Sequence, residues 1–135
     1  MCYILDACAL LAFLNDEDGA DMIEEFLKQP TTGNYVSMSI VNLLEVYYGE
    51  LRDKGVDTAQ IVLDMVQHYS IKIVNTVSEQ VFQEAARLKA AYRMSLADCI
   101  GIATALELSG QFVTSDHHEL DAAANNEPLP ILWFR

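Results

Sequence analysis

Five short apolar runs, separated by stretches of helical period, set the fold class of this chain before any single residue is weighed. The runs are Cys2–Leu5, Tyr35–Met38, Ile71–Val74, Gln111–Thr114 and, after two prolines, Ile131–Phe134. Each has strand length and falls short of an ordinary helix. Between them the apolar residues recur at helical spacing near Ala9–Leu14, Ala20–Lys28, Ile40–Arg52, Thr58–Tyr69, Glu79–Tyr92 and Leu96–Leu108, with a shorter stretch near Glu119–Ala124. Strands that alternate with helices predict an α/β domain built on a parallel sheet. Ser39, Ser78 and Ser95 each precede a helical stretch as N-caps, and Gly110 follows one as the C′ residue. With no repeat, linker or low-complexity segment in its 135 residues, the chain reads as one domain, 1–135.

Four carboxylates stand where a folded chain avoids them. Asp6 lies in Tyr3-Ile4-Leu5-Asp6-Ala7-Cys8-Ala9-Leu10-Leu11, Glu45 in Ile40-Val41-Asn42-Leu43-Leu44-Glu45-Val46-Tyr47, and Asp98 in Ser95-Leu96-Ala97-Asp98-Cys99-Ile100. Asp116 closes Phe112-Val113-Thr114-Ser115-Asp116. Stripping water from a carboxylate is costly unless it is paired, hydrogen-bonded or bound to metal. No Lys or Arg lies within five residues of Asp6 or Glu45, and the whole chain offers 8 Lys+Arg against 20 Asp+Glu. A hard divalent cation held by oxygen ligands is the cheaper remedy, which points to a metal-dependent enzyme. On the strand and helix map Asp6 and Asp116 follow strand ends, where open parallel sheets bind ligands. Asp98 and Glu45 fall in the first and second turns of their helices, so all four can gather at one end of the sheet.

Each acid taken singly also has a structural reading. Ser95-x-x-Asp98 fits a helix N-terminal box, Asp116 fits an N-cap with Glu119 three residues on, and Asp6 fits a turn after a strand. Glu45 resists this treatment, because Leu43, Leu44, Val46, Tyr47 and Tyr48 surround it where a solvated helix face carries polar residues.

Composition narrows the function classes. A hydrophobic content of 52% excludes a disordered chain, and the net charge of −12 opposes long-range attraction of nucleic acid. Cys2, Cys8 and Cys99 show no zinc-ligand spacing and read as reduced, buried thiols, which suits a cytoplasmic protein. The apolar run Ile4–Leu14 lacks a basic leader and carries Asp6, so it is not expected to be a signal peptide. No uninterrupted apolar run approaches the roughly 18 residues that cross a bilayer, and no membrane association is expected. His117 and His118 are expected on an exposed loop and His68 on the surface. Tyr47, Tyr48, Tyr92 and Trp133 are expected to pack rather than stack on bases.

At the four acids the chain resembles a PIN-domain ribonuclease of the bacterial toxin type called VapC. The resemblance runs nearly end to end. A strand ends in Asp6; Ser39-Ile40-Val41-Asn42-Leu43-Leu44-Glu45 matches the family's Ser-to-Glu helix. Met94-Ser95-Leu96-Ala97-Asp98-Cys99-Ile100-Gly101-Ile102-Ala103-Thr104-Ala105 matches its most recognisable segment, and Val113-Thr114-Ser115-Asp116 its final strand running into Thr-x-Asp. The resemblance implies a three-layer α/β/α domain with a central, mostly parallel sheet of four to five strands. It implies catalytic carboxylates at Asp6, Glu45, Asp98 and Asp116 and a supporting hydroxyl at Thr114. This chain departs from the family at Ala7 and Cys8, where a hydroxyl often follows the first Asp. After Asp116, Glu119 and Asp121 are further acids that the spacing leaves open.

The chemistry follows from these assignments. Carboxylate oxygens suit Mg²⁺, or Mn²⁺ as its substitute, rather than zinc. Asp6 and Asp98 are assigned as direct ligands, and Asp116 as ligand of that ion or a second. Glu45 would bind through water or orient the attacking water, with Thr114 holding a carboxylate or a water in place. Arg87, Lys89 and Arg93 are candidate phosphate contacts, set against the alternative of solvated helix surface. The resemblance further implies cleavage of RNA to a 5′-phosphate and a 3′-hydroxyl, a homodimer, and an antitoxin that covers the site. Two other readings remain. A phosphoacceptor domain with Asp6 as nucleophile lacks the acid that such enzymes place at Cys8. A non-enzymatic PIN-like scaffold is favoured by Ala7, Cys8 and the acidity.

Overall fold

The computed structural model describes residues 1–28 and 33–135. In chain order they form β1 (Cys2–Leu5), α1 (Ala7–Leu14), α2 (Ala20–Lys28), β2 (Tyr35–Ser39), α3 (Ile40–Lys54) and α4 (Val56–His68). There follow β3 (Lys72–Val74), α5 (Glu79–Ala91), α6 (Leu96–Glu107), β4 (Gln111–Thr114), α7 (His117–Asn126) and β5 (Ile131–Trp133). The five strands are all parallel, in the order β3-β2-β1-β4-β5. The chain therefore starts in the middle, winds outward through β2 and β3, and returns to lay β4 and β5 on the other side. The reversal falls between β1 and β4, and crevices for ligands open at the strand ends beside such a reversal.

Side-chain alternation along the central strands sorts the helices into two layers. Leu5, Val36, Met38 and Val113 point to one face and are buried with Leu10 of α1, Ile23 of α2, Val46 of α3 and Val62 of α4. Cys2, Ile4 and Phe112 point to the other, against Leu88 of α5, Ile102 of α6 and Leu120 of α7. Because β1 and β4 are covered on both faces, they read as continuous apolar runs rather than alternating ones. This is the expected α/β/α arrangement, with five strands. No helix among the described residues is long and apolar enough to cross a membrane. All three cysteines are free thiols.

The helix ends depart from the sequence expectations in instructive ways. Ser39, Ser78 and Ser95 cap α3, α5 and α6, accepting from the amides of Val41, Val81 and Asp98. Gly110, however, is not the C′ residue of α6. Ser109 takes that place with φ +52°, donating to Leu106 O, while Gly110 N–H donates to Ala105 O at 2.9 Å. Gly110 is needed for another reason: a Cβ there would lie 2.4 Å from the carbonyl oxygen of Cys2. Helix α4 ends in the same way. Ser70 has φ +56°, and Ile71 N–H closes onto Val66 O at 3.1 Å, so Ile71 belongs to the helix end and β3 begins at Lys72.

Candidate functional site

Asp6 is the N-cap of α1, which is why that helix begins at Ala7 rather than Ala9. Its Oδ1 accepts from Ala9 N–H at 2.7 Å and its Oδ2 from the Thr114 hydroxyl at 2.5 Å. Thr114 in turn accepts from Asp116 N–H at 3.1 Å, so one buried hydroxyl joins the ends of β1 and β4. Asp6 is only 2% exposed. Burial pushes its carboxyl up to about 6; the Thr114 and Ala9 hydrogen bonds oppose this, and the charges of Asp116 and Glu45 add to it.

Asp98 sits in the first turn of α6, its amide tied to the Ser95 hydroxyl at 3.1 Å. Asp116 caps α7 and accepts from Glu119 N–H at 3.2 Å, so α7 starts at His117 and not at Glu119. Glu119 then reaches across to the neighbouring helix, where its carboxylate accepts from Ser95 N–H, the exposed amide at the start of α6. Asp98, Asp116 and Glu119 each bring a carboxylate oxygen within 4.8 Å of the other two.

Such crowding has an electrostatic signature. Burial, then the charge of Asp6, then a hydrogen bond from its own carboxyl to Glu119 push Asp98 up to about 8. Burial also works against the Glu119 charge, but the Ser95 amide and the Asp98 carboxyl outweigh it and hold Glu119 below the usual carboxylate range. The Asp98 carboxyl is thus shifted toward its protonated form beside a Glu119 shifted toward its charged one. Three helix N-termini, those of α1, α6 and α7, surround this group and supply positive dipole ends.

Glu45 is half-buried in the second turn of α3. Burial raises its carboxyl, Asn42 lowers it, and the charge of Glu119 raises it further, which places Glu45 within electrostatic reach of the cluster. Asn42, one turn earlier, is fully buried and donates from Nδ2 to Glu45 Oε1 at 3.5 Å. Its Oδ1 has no partner among the described residues and faces Gly101 of α6, where a Cβ would lie 2.8 Å away.

All four acids singled out in the sequence thus reach one edge of the sheet, and Glu119 joins them. Asp121 does not; it pairs with His117 Nδ1 at 2.9 Å on the surface. His117 lies in α7 rather than on a loop, its ring stacked on Trp133 at 3.8 Å and its Nε2 meeting Arg135 O. Cys8 is half-buried beside the acids: burial first, then Asp6, Asp116 and Asp98 push its thiol up to about 12. Of the basic trio, Arg87 is held by Glu84 and Glu127, both at 2.6 Å, which occupies its guanidinium with carboxylates instead of leaving it for phosphate. Lys89 Nζ donates to Met94 O at 2.7 Å, and Arg93 is exposed. Sequence reading passed over Asn42 and Arg135. Asn42 carried a signal, a polar residue three before Glu45 in the same apolar run. Arg135 carried none, because nothing local ties it to the acids.

The donor set is made of oxygen alone and crowds three carboxylates within 4.8 Å of one another. Both facts fit a hard divalent cation. Asp98, Asp116 and Glu119 are the residues placed to hold it, with Asp6 buried next to them.

Comparison with known proteins agrees with this fold. The PIN domain family model matches residues 3–126. The solved VapBC2 of Rickettsia felis, bound to a DNA fragment from its promoter, superposes with a TM-score of 0.75 at 19% identity, over 98% of each chain. VapBC-1 of nontypeable Haemophilus influenzae gives 0.76 at 15% identity, over 99% of this chain and 98% of that one. VapC20 of Mycobacterium tuberculosis, a sarcin–ricin-loop-cleaving toxin, gives 0.61 at 14% identity, over 81% and 85%. No curated protein matches the chain. With the family model spanning nearly the whole sequence and the fold shared with these structures, the chain belongs to the PIN domain family.

Proposed function

We propose that this protein is a Mg²⁺- or Mn²⁺-dependent endoribonuclease, the toxin of a toxin–antitoxin pair of the VapC type. The observation that carries the reading is the convergence of Asp98, Asp116 and Glu119 within 4.8 Å at the strand ends, with Asp6 buried beside them. A bound divalent ion supplies charge neutralisation at the phosphate and a water of lowered pKa. Asp98 and Asp116, expected from sequence, would hold it together with Glu119, which the sequence left open. Asp6, each of whose oxygens accepts one hydrogen bond and keeps a further lone pair, stays a direct-ligand candidate beside them and adds its charge. Thr114 keeps Asp6 and the start of α7 in register. Glu45, oriented by Asn42, accepts a proton from the attacking water or holds that water in line.

The partner half of the proposal rests on the VapBC complexes that share this fold and on the surface of α3. Ile40, Leu44, Tyr48 and Leu51 recur along one side of that helix and are each at least 42% exposed. An apolar stripe of this kind marks a protein partner, and the net charge of −12 suits a basic one. We assign it to the antitoxin, and we expect the protein to form a homodimer.

The test is a Mn²⁺-dependent cleavage assay on several structured RNAs, with EDTA and Asp98→Asn as controls. Cleavage is expected to require the metal and to be lost in Asp98→Asn. Cleavage that survives both would identify a contaminant and leave a non-enzymatic scaffold as the better reading, consistent with Cys8 standing where the family often has a hydroxyl.

A further inference from the structure

Arg135 lies one strand away from the acidic cluster, at the same height along the sheet. Thr114 faces Trp133 across the β4–β5 pairing, and Phe134 N–H donates to Thr114 O at 3.1 Å, so Phe134 and Arg135 continue beside Ser115 and Asp116. Phe134 is buried and fixes the segment, whereas the Arg135 side chain is 38% exposed. Its Nη2 donates to Ser115 Oγ at 3.3 Å, next to the Asp116 cap. Its Nη1 donates to Asp18 O at 3.1 Å and Glu17 Oε1 at 3.4 Å in the turn after α1. Nε and one Nη2 hydrogen have no acceptor among the described residues. The guanidinium charge reaches the site, since it opposes the lift that Asp6, Asp116 and Asp98 give the Cys8 thiol.

Of the other seven cations, Lys72 Nζ lies over the Tyr35 ring, Lys89 Nζ donates to Met94 O and Arg93 is exposed just past the end of α5. Lys28, Arg52, Lys54 and Arg87 sit on helix surfaces beside carboxylates of their own or a neighbouring helix. The Glu17 contact to Arg135 is long and exposed, the kind of pair that contributes little and yields to a better anion. A planar fork with open donors matches the oxygens of a phosphodiester. A chain of −12 that handles a polyanion needs such a group locally.

We propose that Arg135 is a substrate-binding residue that grips a backbone phosphate of the RNA strand flanking the acidic cluster. The proposal rests on the ribonuclease reading. Its competitor is a structural one, in which Arg135 merely ties the turn after α1 to the loop before Asp116.

The test uses the full chain and a short fluorescein-labelled single-stranded oligoribonucleotide, with binding read by anisotropy in Ca²⁺ and cleavage kinetics read in Mn²⁺. Arg135→Gln is expected to weaken binding roughly tenfold and to raise KM alike, the loss of one charge-assisted hydrogen-bonding group. It should leave kcat, Tm and Mn²⁺ affinity unchanged. The slope of log affinity against log salt should fall by about 0.7, one phosphate contact on a single strand. Arg135→Lys should fall between, and Glu17→Gln, which frees the guanidinium, should bind at least as well as wild type. A tie between loops predicts instead that Arg135→Gln and Glu17→Gln both lower Tm and Mn²⁺ affinity together; that result overturns the proposal. Wild-type binding by Arg135→Gln overturns it too, as does failure of the unaltered protein to bind the oligonucleotide. Weakened binding in Arg135→Gln by a protein that cleaves no RNA keeps Arg135 as an RNA-phosphate contact but overturns its role as a substrate residue, together with the ribonuclease reading. Cleavage by the wild type with an indifferent Arg135→Gln does the reverse.

Discussion

Burial and the neighbouring Asp6 and Glu119 carboxylates lift the Asp98 carboxyl, and stability should register it. Asp98 is lifted from 3.8 to about 8 and Asp6 from 3.8 to about 6 by the fold. An acid raised in the folded state favours folding below its ordinary pKa and loses that contribution as pH climbs through the raised value. In EDTA the melting temperature is therefore expected to fall as pH rises from about 4 to about 8. Asp98→Asn, which keeps the shape without the charge, should flatten the upper part of that fall, and differential scanning calorimetry across pH checks it. An unaltered slope in Asp98→Asn would remove Asp98 as its source. Glu45 makes a different prediction. Glu45→Gln preserves the hydrogen-bonding shape beside Asn42 and leaves the three close oxygens intact, so Mn²⁺ binding should persist by calorimetric titration. RNA cleavage should drop by ~10²–10⁴-fold, the usual weight of a group that moves or positions a proton. Retained cleavage would take Glu45 out of the mechanism.

At the scale of elements, the strands and helices were legible wherever period and apolar content agreed, and their ends were legible wherever a residue signals only one role. Serine caps were read correctly because Ser39, Ser78 and Ser95 stand directly before apolar periods. Asp6 and Asp116 each do two jobs. Asp116 was read both as a site acid and as an N-cap with Glu119 three residues on, whereas Asp6 was read as a turn residue and not as a cap. Helices α1 and α7 both appeared to start two residues late. The C-termini misled for another reason. Asp16, Ser70 and Ser109 adopt left-handed φ of +52° to +56°, a conformation that sequence reading assigns to glycine, while the glycine nearby answers to packing. The close cluster of Asp98, Asp116 and Glu119 was only half visible, since the cross-helix reach of Glu119 to Ser95 depends on how α6 and α7 pack. Gly110→Ala tests the packing account directly. Its Cβ meets backbone that cannot turn aside, and overpacking of this kind costs ~1–3 kcal/mol. Urea unfolding should show that loss, and a neutral result would mean that β1 can shift.

For the whole molecule, the balance of charge joins folding to metal. Twenty acids against eight bases repel one another, most of all where five carboxylates share one edge of the sheet. A divalent cation that binds only the folded form should raise the melting temperature by mass action, with the rise following the logarithm of Mg²⁺ concentration above the dissociation constant. Thermal denaturation across a Mg²⁺ series measures it, and Asp98→Asn should mute the response. The winding order of the sheet has a further consequence, in time rather than in space. The first strand made lies in the middle and waits for a neighbour more than a hundred residues downstream; the Thr114 hydroxyl that steadies Asp6 is 108 positions away. Domains fold as units when their partners emerge from the ribosome, and contacts this distant form late. A growing chain therefore carries Asp6 without its Thr114 hydrogen bond, and its acids apart, until β4 and α7 have been made and have docked beside β1.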